Sequence, residues 1–185
     1  MRIWPSLGEE AKRRLAQHHA TMIVCSDLEE VAEWAKHLKS EFPSAESHTD
    51  VAGFVYWLTN PEEKRLALVV WNGVPSSTPE PYIYGHEIAH IVDGDPKKRR
   101  LSAEREWLDL WQQQKNDIAS MFMSKTRRKR ILENATEAFA TLLAVAWTEP
   151  RYLQARRERV LEYFRRHGLL LASPSTPRTR GDPAR

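Results

Sequence analysis

The 185-residue chain is 41% hydrophobic and 29% charged, which is enough for one domain with a real core, short for two, and excludes wholesale disorder. Its formal charge of +3 raises nucleic acid as a partner, yet Arg178, Arg180 and Arg185 against Asp182 put two of those charges in residues 172–185. The local basic runs at 97–100, 125–130, 156–157 and 165–166 read as solvated helix faces and turns, so nucleic acid is not expected as a partner.

One cysteine, Cys25, rules out an internal disulfide, and no apolar stretch approaches membrane-spanning length. The opening residues, MRIWPSLGEEAKRR, carry charge and proline where a secretory signal needs an apolar run. A soluble, cytoplasmic protein with no membrane partner is expected. Seven tryptophans predict an aromatic core.

Residues 8–19 read as helix, and 21–25 (TMIVC) as a short buried strand, apolar and β-rich throughout. Ser26 and Glu29 stand at capping-box spacing before a helix whose apolar residues Leu28, Val31, Trp34, Ala35 and Leu38 recur at helical intervals as far as Phe42. Residues 51–58 and 65–71, separated by a polar loop, predict a β-hairpin. After residue 81 the chain reads as helix almost to its end. Ser77 and Glu80 offer a second capping box for a helix running to Gly94. Further helices are expected from near Ser102, over about 128–147, and over about 150–167 with Gly168 as the C-terminal cap. Residues 172–185, rich in proline, serine and arginine, are expected to be a disordered tail on a domain spanning 1–171. Strands first and helices afterwards predict an α+β fold, a small N-terminal sheet packed against a mainly helical C-terminal part.

Within the helix after residue 80, His86-Glu87-Ile88-Ala89-His90 spells HExxH. Residues four apart share a helical face, so both imidazoles can reach one ion, and the intervening glutamate leans over the open coordination position as a general base. Zinc-assisted hydrolysis of an amide is the chemistry this spacing serves. A catalytic zinc takes three protein ligands, and the residues alone leave the third open among Asp93, Glu133 and Glu137. Asp93, three residues beyond His90, suits a hydrogen bond to a ligand histidine better than the ion itself. Gly and His are missing where the metzincin pattern needs them, at Asp93 and Pro96, which excludes that class. His18, His19, His37, His48 and His167 lie outside ligand spacing and read as structural or surface residues.

The segment His90-Ile91-Val92-Asp93, with Glu137-Ala138-Phe139-Ala140 further on, resembles the anthrax-lethal-factor-like zinc metallopeptidases over roughly residues 66–164. The resemblance implies a zincin-like fold, one zinc per chain held by His86, His90 and Glu137, Glu87 as the base, and a peptide or protein substrate bound in extended conformation along a sheet edge, for which one of the two hairpin strands, foremost 65–71, is the candidate. It departs from the family at Arg130, where the lethal factor has an oxyanion-steadying tyrosine; Arg130, Tyr84 and Tyr152 are the substitutes at hand. Repressor-cleaving zinc peptidases also pair HExxH with a downstream glutamate and a Phe-Ala helix, but their Ala-Asn is replaced here by Thr136-Glu137. Two alternatives from other classes remain: a noncatalytic zincin-like module, against which stands the intact Glu87, and a helical nucleic-acid-binding protein using its Arg/Lys clusters, with the motif coincidental.

Overall fold

The computed structural model describes residues 4–25, 27–41, 46–49, 53–59, 65–72, 80–95 and 97–171. Among them the chain is mostly helical, with one four-stranded sheet. In order come α1 (Glu9–Gln17), β1 (Thr21–Cys25), α2 (Leu28–Glu41), β2 (Glu46–Thr49), β3 (Gly53–Thr59), β4 (Arg65–Asn72) and α3 (Glu80–Asp93). Then follow α4 (Arg105–Ser120), α5 (Lys125–Glu133), α6 (Ala135–Thr148), α7 (Pro150–Arg156) and α8 (Glu158–Arg166). The expected tail and the residues Ser26 and Ser77 lie outside the described residues. No helix among those described is long and apolar enough to cross a membrane.

The sheet runs β1-β4-β3-β2, with β1 parallel to β4 and the other pairs antiparallel. The expected hairpin is β3 with β4, and β2 adds an edge strand that composition did not announce. Two sequence expectations change here. Both hairpin strands, β4 and β3, lie inside the sheet rather than at its edge, so neither offers a free edge to an extended peptide. Strand β1 is not buried throughout: Cys25 is, but Met22 and Val24 are 40% and 54% exposed.

The register explains that exposure. Met22 and Val55 both pair with Val69, so they share a sheet face, and Ile23 and Cys25 occupy the other. On that other face Cys25 packs with Val31, Leu38, Ile23 and Trp34 of α2 and β1. Val55 and Trp57 instead join the main core with α3 and the later helices. The sheet thus separates α2 from α3, and β1 extends past the cover that α3 provides.

Most of the core is built by side chains of α3, α4, α6 and α8. Trp107 of α4 lies 5.1 Å from the ring of Phe139 and 5.7 Å from that of Phe164, centroid to centroid, and both rings are fully buried. Its indole N–H donates to Ala135 O at 3.0 Å, and that of Trp111 to Ile131 O at 2.8 Å. The predicted aromatic core is therefore present, and two of its tryptophans also brace the junction of α5 and α6.

The long helices expected from the periodicity are broken at polar caps. Residues 128–147 form two helices because Asn134 leaves helical geometry at φ −137°, ψ 111°, closing α5 and capping α6. Its side-chain oxygen accepts from Thr136 N at 2.9 Å and Glu137 N at 3.2 Å. Residues 150–167 likewise break at Arg157 into α7 and α8. Ser102 starts no α-helix; it lies in a 3-10 turn, Leu101–Ala103, ahead of α4. Asp27 Oδ1 accepts from Glu30 N at 2.8 Å at the start of α2. Gly168 does terminate α8. With φ at +64°, it places its N–H on Arg165 O and that of Leu169 on Phe164 O, the paired bonds of a Schellman ending.

Beyond that ending the chain returns to its own beginning. Leu7 bridges Leu170, and Gly8 N donates to Leu169 O at 3.0 Å. A Cβ on Gly8 would stand 2.1 Å from Gly168 O and 2.7 Å from Leu170 O, both backbone atoms that cannot step aside. Gly8→Ala is therefore expected to lower stability by about 1–3 kcal/mol. Urea unfolding of the variant against the parent measures it, and an unchanged midpoint would contradict this close approach.

Candidate metal centre

Two helices make the site. Helix α3 carries His86, Glu87 and His90, and it packs most extensively against α6, which carries Glu137 near its start. Small residues permit the approach: Ala89 on α3 and Ala138, Ala140 and Ala144 on α6 are all fully buried. Phe139 and Leu142, also fully buried, anchor α6 in the core on either side of these positions.

The local fold of α6 then aims Glu137. It is the third residue of a helix capped by Asn134, where a glutamate commonly reaches back to the N–H of the cap. That N–H is already given to Arg130 O at 2.9 Å, closing α5, and the Glu137 carboxylate turns toward α3 instead. Its first-turn position also sets a negative charge at the positive end of the α6 dipole.

His86 Nε2 and His90 Nε2 stand 3.2 Å apart. Glu137 Oε2 lies 3.6 Å from His86 Nε2, and Oε1 lies 3.5 Å from His90 Nε2. Donors held at about 2.0–2.1 Å around a tetrahedral zinc are about 3.3–3.4 Å from one another, so the three groups are spaced as ligands of one ion. All three are at least 94% buried. Among the described residues, this is the group of histidine, cysteine and carboxylate side chains placed to hold a metal.

The remote nitrogen of His86 is also engaged. Thr141 Oγ1, one turn along α6 from Glu137, lies 3.4 Å from His86 Nδ1. In the tautomer that a metal requires, Nδ1–H donates to this hydroxyl and leaves the Nε2 lone pair facing Glu137. Thr141 escaped the sequence reading, because a threonine inside an apolar helix carries no motif. It is, however, four residues beyond Glu137, on the same face of α6.

Asp93 departs from its expected role. It is buried, but its carboxylate accepts from Ser102 N and Ser102 Oγ, each at 2.6 Å, and neither oxygen is bonded to a ligand histidine. Ser102 Oγ in turn lies 2.9 Å from Thr136 Oγ1, the residue before Glu137. Asp93 thus ties the end of α3, through the 3-10 turn, to the start of α6. It braces the two helices and does not orient an imidazole. Arg14 of α1 donates to the carbonyls of Val92 and Asp93 at 3.1 and 3.3 Å, holding the last turn of α3 from the other side.

Glu133 is exposed at the end of α5. Tyr152 donates its hydroxyl to Met121 O at 2.9 Å, in the α4–α5 turn. Tyr84 is buried on α3 and Arg130 is half-buried on α5. His18 packs edge-on to Trp57, and His167 lies against Tyr163 and 3.5 Å from Glu106, structural surroundings in both cases. Burial, with Glu30 and Asp27 adding to it, pushes the Cys25 thiol up, which disfavours the reactive thiolate.

No protein-family model matches the chain, and no curated protein or solved structure matches it either.

Burial pushes the Asp93 carboxyl up to about 6, against hydrogen bonds from Ser102 that favour its charged form. An unfolded aspartate titrates near 4, so the folded chain binds the extra proton between about pH 4 and 6 and loses stability as pH rises through that window. Asp93→Asn cannot ionise and keeps an oxygen for Ser102 N. Relative to the parent it is expected to gain about 1–3 kcal/mol between pH 4 and pH 7, read by chemical denaturation at both values. A constant difference between the two proteins across that range would contradict the placement of Asp93.

Proposed function

We propose that this chain is a zinc-dependent peptidase of zincin-like fold, with His86, His90 and Glu137 as the metal ligands and Glu87 as the general base. The observation that carries the reading is the triangle of donors, 3.2 to 3.6 Å on its sides, formed by two residues of an HExxH helix and a carboxylate from a separate helix. Two imidazoles and one carboxylate suit zinc and leave a fourth position for water, the ligand set of a catalytic rather than a closed structural site. A sheet followed by an active helix and a supporting helix agrees with that fold class.

Bound at these atoms, zinc would acidify a water and polarise the carbonyl of the scissile bond. The protein's own part is proton movement and orientation. Glu87, buried and adjacent to His86 on α3, takes a proton from the water as its oxygen bonds to the carbonyl carbon. The same carboxyl then gives the proton to the departing amide nitrogen as the C–N bond breaks. Thr141 and the Asp93-Ser102-Thr136 chain hold the ligand helices so that these groups meet without rearrangement.

The substrate in this reading is a peptide or unstructured protein in extended conformation. With β3 and β4 inside the sheet, the edge strands among the described residues are β1 and β2, the candidates for pairing with such a chain.

Metal content and hydrolysis test separate parts of the proposal. Elemental analysis is expected to find about one zinc per chain, with Glu137→Ala losing at least 10²-fold in zinc affinity and Glu133→Ala losing none. Tight zinc binding by Glu137→Ala together with metal loss in Glu133→Ala would move the third ligand. Glu87→Gln is expected to retain zinc and fold while cleaving an unstructured protein at least 10²-fold more slowly, since the amide cannot accept the proton. Cleavage at the parental rate would remove Glu87 from the base role.

A further inference from the structure

The corner between α4 and α5 concentrates positive charge, of which Arg157 is met by Asp117 of α4 at 3.9 Å. Residues 121–130 hold five cations and no acid, and residues 150–159 hold four cations against Glu158. Together these twenty residues carry eight net positive charges, while the whole chain carries +3, so the remaining 165 residues are net negative by five. In the sequence the two runs are separate and each looks like a solvated helix face.

The fold joins them. Tyr152 of α7 donates to Met121 O in the α4–α5 turn, and Arg156 lies over the Tyr152 ring at 4.7 Å with Nη1 donating to its hydroxyl oxygen at 3.3 Å. From the α5 side, Arg128 donates to Phe122 O at 2.5 Å and to Met123 O at 3.1 Å. These two guanidiniums are therefore held by neutral groups, which fixes their position and leaves their charge undiminished. Lys125, Arg128 and Lys129 are exposed and fall at i, i+3 and i+4, one face of α5. Among the described residues neither lysine is in an ion pair.

This arrangement works against folding. The first turn of α5 contains no acid, and its cations stand at the positive end of the helix dipole. Like charges one turn apart repel by a few tenths of a kcal/mol for each pair. A repeating negative charge laid across the corner would remove that repulsion. Among the described residues, Met123 is the one large apolar side chain strongly exposed there, at 92%, and a single methionine supplies too little apolar area to seat the corner in a bilayer.

We infer that Lys125, Arg128, Lys129 and Arg156 form a docking surface for the phosphate backbone of nucleic acid, bound without reading of its sequence. Fixed arginines favour phosphate oxygens, since little side-chain freedom is lost on contact. The surface lies at the end of α5 remote from Asn134, about 13 Å along the helix, so it is independent of the metal centre.

The test uses the full chain and fluorescent mixed-sequence oligonucleotides, single-stranded and duplex, in anisotropy titrations from about 50 to 200 mM KCl. Four phosphate contacts predict a log–log salt slope near −3.6 for duplex. Lys125→Glu/Lys129→Glu changes two side chains that support no described contact. It is expected to weaken binding at least 10-fold at about 100 mM salt and to lower the slope by about 2. Lys36→Glu/Lys39→Glu, the same change of net charge on exposed positions of α2, is expected to bind like the parent. Absence of binding at the lowest salt, or equal loss in the α2 variant, overturns the inference. So does sedimentation with phosphatidylserine-containing vesicles that exceeds oligonucleotide binding and is abolished by the α5 variant, since the surface would then belong to a membrane.

Discussion

A carboxylate buried between two imidazoles is an expensive thing to fold around, and the architecture is organised by where Glu137 must sit. An ionised carboxyl taken out of water demands positive partners at close range. Here the partners are two nitrogens 3.5 and 3.6 Å away on another helix, which become compensating when a cation joins the three. To reach that spacing α6 must cross α3 closely, which explains the alanines on both helices, and it must begin at the right residue. Asn134 settles the second point. By ending α5 and starting α6 it makes Glu137 a first-turn residue, whose side chain leaves the helix toward α3.

A helix junction so close to the site would be soft if its backbone groups were left to water. The carbonyl of Ile131, in the last turn of α5, takes the indole N–H of Trp111, and that of Ala135 takes the indole of Trp107. Trp107 is itself locked by Phe139 and Phe164, so the aromatic core and the junction stabilise one another. From below, the Asp93-Ser102-Thr136 chain ties the end of α3 to the same first turn of α6. The two helices that carry His86, His90 and Glu137 are thus fastened to each other beside that cluster, by groups outside it. Such fastening is what a site needs if its donors are to keep their spacing through a reaction.

The distribution of charge follows a different logic. Acids and bases along α1 answer one another locally, as in the bonds from Arg13 and Arg14 to Glu10, which hold that carboxyl down at about 2. At the α4–α5 corner Arg157 meets Asp117 at 3.9 Å, but Arg128 and Arg156 bond to carbonyls and a tyrosine instead. One chain therefore contains both compensated and uncompensated basic segments. Spacing along the sequence distinguishes them poorly, because the compensating or reinforcing partner is often on another element.

Local order was the part legible without coordinates. HExxH works through a helical period that any α-helix enforces, so His86, Glu87 and His90 were readable as a unit, as were strand 21–25 and the ending at Gly168, where one residue's backbone freedom decides the geometry. Asn134 with Glu137 three residues on is also a local helix-start signature, and the apolar periodicity on both sides hid it. Glu137 could be named from its resemblance to a family pattern, but nothing along the chain states that it faces His86 and His90. That fact depends on the crossing of α3 and α6. So do the contact of Thr141 with His86, the use of Asp93 as a brace, and the interior place of β4, each a contact across more than one element. A sequence specifies the periods of its own segments through backbone sterics, whereas which faces meet is decided by packing of the whole core, where many weak apolar contacts outweigh any single polar preference.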